Sequence, residues 1–548
     1  MERKTVVLNN QGLGDALDYV SEILGKYKQS PKAIYEAMLL TEESMLKLMS
    51  TAEEGDNLQI RIFKNIGVVT ITLVAPGQEL PTDEGIGEDF GLDTEEMGFE
   101  TVAAMRNILL RSYSDKIKYK NKNGHNTIRI TVGMVERQLA ALTLIAFALA
   151  IVLGYLVNVL PRPLFEVLDS YLFLPVEKMF ISMMQLITAP AVFFSIVCCV
   201  SRFADYSELG KVSLKIFTWY FLSTVIAVLI GMGVFQLFLP GTQGMFSHMV
   251  NREMASVGAS GNLSIMDTII STVPSNIIEP FLNINSLQLV FMAVCCGIAV
   301  GMVGDYSASV KNFFHAGDTL FSKMISLMMN LVPVAVFCAT FSVMIQVGPQ
   351  VWLDVFEMVV VTLVGMILIM LFYCLAILIR GRLNPIVFLK KYLPEMKNTF
   401  VQGSGIASIP DTIRCCQLDF GISPKVYSFA IPFGATVNLD GNCIYLSIAG
   451  LFLARMCGIE LFSTEVVSMV FAIIILSIGA PITPGSALLC LFVLLTQMGV
   501  SLDMTILVMG VNFFIEMFLA MTNTMGDVAI SLTVARSENL VDLKTYYK

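Results

Sequence analysis

The chain has 548 residues, 55% of them hydrophobic and only 14% charged, with a mean hydropathy of +0.72. That balance excludes a disordered protein, a nucleic-acid binder and an ordinary soluble enzyme, and a net charge of −9 does nothing to attract phosphates. The charge is uneven: residues 1–136 hold 36 of the 79 charged side chains. The first quarter therefore reads as a soluble domain and the rest as polytopic membrane protein.

The opening stretch, MERKTVVLNNQGLGDALDYV, is charged where a signal peptide needs an apolar core. Residues 1–130 are therefore expected to remain cytoplasmic as a small α/β domain. Residues 32–50 repeat apolar positions at helical spacing, LQIRIF and VVTITLV read as adjacent strands, and the acidic, Gly-rich residues 79–100 read as a loop. This order resembles the ATP-binding domain of histidine kinases and anti-sigma factors. Such domains hold magnesium-nucleotide with a Glu and an Asn on the helix and reach adenine with an Asp-x-Gly loop. Here Glu42 and Glu43 are present, but Leu46 and Lys47 stand where the Asn belongs, and the loop reads Ala75-Pro76-Gly77. A degenerate, regulatory or docking domain is the expectation.

Apolar stretches begin near Leu139, and each needs about 20 residues to cross a hydrocarbon core of about 30 Å. Full-length candidates are 138–160, 178–200, 212–239, 284–303, 320–346 and 353–379. Lys116, Lys118, Lys120, Lys122, Arg129 and Arg137 precede the first of them, so the N-terminus is expected inside. Lys211 and Lys215, then Lys311, then Arg380, Arg382, Lys390 and Lys391 mark every second connection as basic, as that orientation requires. The eleven Cys include three vicinal pairs, Cys198–Cys199, Cys295–Cys296 and Cys415–Cys416, in apolar runs. They read as small apolar filler, and His125, His248 and His315 are too far apart in sequence to suggest a zinc set.

After the sixth candidate the pattern changes. Residues 399–413 (TFVQGSGIASIPDTI) and 473–490 (IIILSIGAPITPGSALLC) are apolar but interrupted by Gly, Ser and Pro. Broken backbone at membrane depth persists only where protein or a water-filled cavity satisfies it, and a pair of such segments points to a secondary transporter's binding site. Near them lie Asn438-Leu439-Asp440-Gly441-Asn442 and Asn523-Thr524-Met525-Gly526-Asp527, with Glu516 upstream. Each buried carboxylate costs several kcal/mol unless paired or cation-bound, and neither segment contains a Lys or Arg to pair with it. Carbonyls of Gly434, Thr436 and Asn438 are expected to come free around a local unwinding, giving a hard cation the oxygen ligands it prefers. Glu516, Asn523 and Asp527 are spaced to share one helical face.

These residues resemble the dicarboxylate/amino acid:cation symporters, the family of glutamate, aspartate and neutral amino acid transporters. The resemblance runs from the first span to near Arg536. It is carried by KMFISMMQLITAPAVFFSIV, by the PSN segment near 274–291, by both broken segments, and most of all by NLDGN, where the family usually has Asn-Met-Asp-Gly-Thr. It implies eight transmembrane helices and two re-entrant hairpins per protomer, with helices 1–6 in residues 137–385 and the transport core in 386–538. It also implies a homotrimer in the cell membrane, both termini cytoplasmic, in which a transport domain slides against a fixed scaffold. By similarity, one sodium ion sits with Asp527 and the carbonyls of Asn523, Asn438 and Gly434. A second is held by Asp440, the Asn438 side chain, Tyr220, Ser223 and Thr224. A third uses carbonyls of Thr436, Ser477, Ile478 and Ala480. Substrate contacts fall to Ser404, Gly405, Asn442, Thr483, Glu516 and Asn523.

The sequence departs from the acidic-substrate pattern. Leu519 occupies the position of the Arg that holds a second carboxylate, Gly403 that of a hairpin Arg, and Ser404-Gly405-Ile406 replaces a serine triplet. The expectation is a sodium-coupled symporter of a small neutral amino acid, because an unpaired second carboxylate is rejected by a dry pocket. Two other readings stand beside it: a proton-coupled organic-acid (dicarboxylate) carrier, and a transporter-like sensor signalling through the N-terminal domain. An enzyme is the weakest, since no nucleophile–base pair is visible.

Overall fold

The computed structural model describes residues 2–27, 31–49, 56–65, 68–77, 117–122, 124–132, 135–157, 165, 167–206, 211–247, 270, 272–282, 285–303, 307–459, 463–480 and 485–548. The expected loop at 79–100 and Thr483 lie outside the described residues. The chain divides into two compact units, Met1–Gln138 and Leu139–Lys548.

In the first unit, strands β1 (Glu2–Val7), β2 (Asn57–Asn65), β3 (Val68–Pro76), β4 (Ile117–Lys122) and β5 (His125–Val132) form one sheet in the order β1-β2-β3-β5-β4, with every pairing antiparallel. Alternate residues point to one face: Leu58, Ile60 and Ile62 on β2, Val69, Ile71 and Leu73 on β3, and Ile128, Ile130 and Val132 on β5. The period of two in these sequences is thus the period of the buried face. Helices α1 (Asn10–Lys26) and α2 (Pro31–Met49) cover that face with Val20, Leu24, Leu40, Met45 and Leu48. Asn9 starts α1 by accepting the Gly12 N–H through its side chain at 2.7 Å.

In the second unit the helices are α3 (Val135–Val157), α4 (Leu174–Tyr206), α5 (Lys211–Phe238), α6 (Ser286–Met302), α7 (Ser307–Met329), α8 (Val332–Gln346) and α9 (Val351–Ile379). The later set is α10 (Pro385–Gln402), α11 (Ile409–Leu418), α12 (Pro424–Val437), α13 (Asp440–Met456), α14 (Ser463–Ile478), α15 (Ser486–Gln497), α16 (Ile506–Ser537) and α17 (Leu543–Tyr547). Among the described residues, five helices are long and apolar enough to cross a membrane, or six if one bent pair counts as a span. Four shorter apolar helices add to them. The chain is an α-helical polytopic membrane protein preceded by a small α/β unit.

Two expected spans differ in detail. The stretch 320–346 is not one helix: α7 begins earlier, at Ser307, and bends by 54° into α8. Pro333, at the second position of α8, has no N–H to continue the preceding helix and suits only a new first turn. The span expected at 178–200 begins earlier, after a π-helical turn at Asp169–Phe173, because Asp169 and Glu177 are buried within the helix rather than ending it.

The first broken segment is helix–turn–helix, and the second is interrupted between α14 and α15. Gly403, at φ +63°, ends α10 in the left-handed region, and the chain turns through Ser404–Ala407 into α11. The second runs from α14 through Gly479 and Ala480 and resumes at Gly485, φ +85°, before α15. The C-terminal helix α17 secures the base of the first hairpin: Tyr546 Oη donates to the Asn384 carbonyl at 2.9 Å, and Lys391 Nζ donates to the Thr545 carbonyl at 2.7 Å.

Leu73 lies fully buried at the centre of the first unit's core. Leu73→Ala is expected to destabilise residues 1–138 by about 2–4 kcal/mol in urea denaturation; an unchanged midpoint would contradict this core.

Candidate cation and solute site

The site is built where α12 gives way to α13. Asn438 and Leu439 leave helical geometry (φ −103°, ψ 65° and φ −96°, ψ 55°), and the helix restarts at Asp440. The interruption strips following N–H groups of their i−4 carbonyls. Gly441 N–H is satisfied instead by Asn523 Oδ1 of α16, at 2.7 Å, and Asn523 Nδ2 donates in turn to Asn442 Oδ1 at 3.1 Å. Asn523 is therefore a brace across the break.

Two carboxylates flank the interruption, and both are buried: Asp440 is 0% and Asp527 2% exposed. Asp440 accepts from Thr224 Oγ1 of α5 at 3.1 Å and from Tyr373 Oη of α9 at 2.5 Å. Asp527 accepts from Asn438 Nδ2 at 3.0 Å, while Asn438 Oδ1 accepts from Ser223 Oγ at 2.9 Å. Among the described residues, no Lys or Arg forms a salt bridge with either carboxylate. Neutral donors soften a buried charge without cancelling it, and a hard cation with carboxylate and carbonyl ligands is the complement this donor set fits.

Glycine makes the approach possible. A Cβ on Gly434 would stand 2.3 Å from Asp527 Oδ1 and 2.6 Å from Tyr220 Oη, and one on Gly526 would stand 2.6 Å from Tyr373 Oη. Any side chain at either place fills the space around the carboxylates.

The expected residues divide as follows. Ser223, Thr224, Asn438 and Asp440 converge through hydrogen bonds. Tyr220 lies beside Asp527 but donates its hydroxyl to the Ala430 carbonyl at 2.9 Å. The Gly434 carbonyl, expected to be unpaired, accepts the Asn438 N–H at 2.8 Å, because the break falls at 438–439, later than Gly434. Thr436 and Ser477 turn their hydroxyls onto their own helices, to the carbonyls of Phe433 and Ile474. Ile478 closes α14, and the Ala480 carbonyl accepts from Ser195 Oγ of α4 at 3.2 Å.

A cavity of about 90 Å³ lies against this cluster. Since one water needs about 10–15 Å³ of such space, it suits a small solute. Ser404 and Gly405 of the first hairpin, Asn442, Ala480, and the α16 residues Glu516, Leu519, Asn523 and Asp527 line it. The face shared by Glu516, Asn523 and Asp527 is thus real. Among the described residues, the lining holds two carboxylates and no Lys, Arg or His. Glu516 is positioned by Asn512 Nδ2 at 3.0 Å, which Tyr445 Oη supports by donating to Asn512 Oδ1 at 3.0 Å.

Tyr373, Asn512 and Tyr445 were not singled out from sequence. Asn512 is the residue four before Glu516, a spacing that could have revealed it. Tyr373 sits among aliphatic residues in α9, where a lone phenol is a weak signal.

Gly434→Ala is expected to raise the half-saturating cation concentration roughly tenfold or more, as a methyl group enters a space bounded by charged and polar oxygen. Unaltered cation dependence in a folded variant would contradict the geometry.

The model of the Sodium:dicarboxylate symporter family matches residues 139–537. The chain is similar to a C4-dicarboxylate transport protein of Bacillus subtilis (strain 168), 28% identical over 67% of this chain and 88% of that one. It is likewise similar to a C4-dicarboxylate transport protein of Bordetella avium (strain 197N), 25% identical over 72% and 88%. A proton/sodium-glutamate symport protein of Geobacillus stearothermophilus is 22% identical over 66% and 87%. By this match, over most of its length and across the whole cluster of buried carboxylates, the chain belongs to the sodium:dicarboxylate symporter family, whose members are membrane transporters and not enzymes.

Proposed function

We propose that the chain is a cation-coupled symporter of a small carboxylate-bearing solute, with sodium as the coupling ion and a neutral amino acid as the solute. The observation that carries this reading is the cavity lining, in which Glu516 offers a carboxylate for an ammonium and Leu519 is apolar; by the family resemblance, Leu519 holds the position of the Arg that meets a second carboxylate. A zwitterion then presents its ammonium to Glu516 and its single carboxylate to the Ser404–Gly405 turn and Asn523. A dianion has no cationic partner in that lining, and an unpaired buried charge is expensive. Sodium is assigned to Asp440 and Asp527 with Asn438, Ser223 and Thr224, whose oxygen-only chemistry suits an alkali cation.

In this reading the hairpins, α12, α13 and α16 move together as a transport core. Three copies assemble in the cell membrane with both termini inside, and the first unit regulates transport.

The names of the relatives favour a second reading, in which the solute is a C4-dicarboxylate. Proton coupling is part of that alternative: a diacid entering with one carboxyl protonated places less charge beside Glu516.

Uptake into proteoliposomes separates the two. The leading reading predicts that labelled alanine or serine accumulates under a sodium gradient and that excess succinate does not compete. Succinate accumulation driven by a proton gradient alone, with no response to alanine, would overturn it in favour of the second. Leu519→Arg is expected to shift preference toward acidic solutes by roughly 10- to 100-fold, the worth of a charge-assisted hydrogen bond of about 1.5–3 kcal/mol. An unshifted preference would contradict the role given to Leu519.

A further inference from the structure

Helices α4 and α7 pack closely against each other. The ring of Phe194 on α4 lies against Gly317 of α7, where a Cβ would approach within 2.3 Å of it. Phe194 also contacts Phe313, Phe314 and Phe321 across the same seam. Four residues after Phe194 comes Cys198, on the same face of α4. It meets His315 and Asp318, which stand three apart on α7: the cysteine sulfur, a His ring nitrogen and an Asp carboxylate oxygen all lie within 4.8 Å of one another.

We propose that Cys198, His315 and Asp318 form a binding site for a borderline-soft divalent cation of the zinc class, joining α4 to α7. The donor set is the first argument. A thiolate with an imidazole and a carboxylate suits zinc and disfavours magnesium or calcium, which take oxygen ligands. Geometry is the second. Zinc bonds of 2.0–2.3 Å in a tetrahedron separate their ligand atoms by about 3.3–3.6 Å, so rotation of side chains on a fixed backbone closes the triad. A His and a carboxylate at i, i+3 already share one helix face, as in metal sites built inside helical bundles. Access is the third argument. Cys198 is 7% exposed, Asp318 half-buried and His315 exposed, so the triad opens outward through His315 and leaves an ion an entry path. The site contains none of the residues assigned to sodium or solute, so it stands or falls independently of the transport reading.

The test uses the full-length purified protein, stripped with chelator, loaded with zinc and desalted. Metal analysis is expected to find about one zinc per protomer, falling roughly tenfold or more in Cys198→Ser and in His315→Ala. Zinc is also expected to raise the melting temperature of the wild type and leave that of His315→Ala unchanged. His315 is exposed, so its variant is expected to fold even if Cys198→Ser does not. Cobalt in place of zinc is expected to give a thiolate-to-metal charge-transfer band that Cys198→Ser lacks. Equal zinc retention by wild type and His315→Ala, or cobalt spectra without the thiolate band, would overturn the proposal.

Discussion

The structure depends on burying two carboxylates, Asp440 at 0% and Asp527 at 2% exposure, and giving them no basic partner among the described residues. Among the described residues, Asp440 and Asp527 meet neutral donors at their oxygen atoms, Thr224, Tyr373 and Asn438 among them. An uncompensated carboxylate in such a place costs several kcal/mol, and packing alone does not recover it. The elements around the pair make sense as an oxygen-rich enclosure: α5 supplies hydroxyls, α9 a phenol, α12 an amide, and Gly434 and Gly526 let the backbones close in. The enclosure sets the packing of five helices at once, α5, α9, α12, α13 and α16.

The interruption at Asn438–Leu439 links this enclosure to the cavity. A continuous helix would satisfy its own N–H groups. The broken one turns to Asn523, which accepts from Gly441 and donates to Asn442. Asn523 and Asn442 line the cavity, while Asn438 and Asp440, only a few residues away, belong to the carboxylate cluster. One short hydrogen-bonded strip thus touches both the cavity and the carboxylate cluster. Such a connection is the physical requirement for linking the occupancy of one to that of the other.

Much of this was legible in the sequence because membrane burial makes polar residues conspicuous. Asp440 and Asp527 stood out among apolar neighbours, the spacing of Glu516, Asn523 and Asp527 placed them on one face, and Gly and Pro in the two broken segments marked the hairpins. In the first unit, strict alternation in β2 and β3 gave the buried face of the sheet. Other features depended on contacts that no local pattern records. Tyr373 reaches Asp440 from a distant helix, and its own segment, MILIMLFYCLAILI, reads as an ordinary apolar span. The bend between α7 and α8 follows from Pro333, yet Pro is common enough in membrane helices to hide its effect. The Gly434 carbonyl is satisfied because unwinding starts at Asn438, and helix boundaries are the least exact part of any pattern. Cys198 and His315 looked unrelated because their meeting depends on the packing of α4 against α7.

The central claim is that captured alkali cations neutralise the buried carboxylates. Thermal unfolding of the purified protein across a sodium titration, with choline holding ionic strength constant, tests it most directly, because a ligand of the folded state raises its stability. The account predicts that sodium raises the melting temperature of the wild type in a saturable way, and that the double variant Asp440→Asn, Asp527→Asn loses this response. A double variant that still gains the full sodium-dependent stabilisation would contradict it.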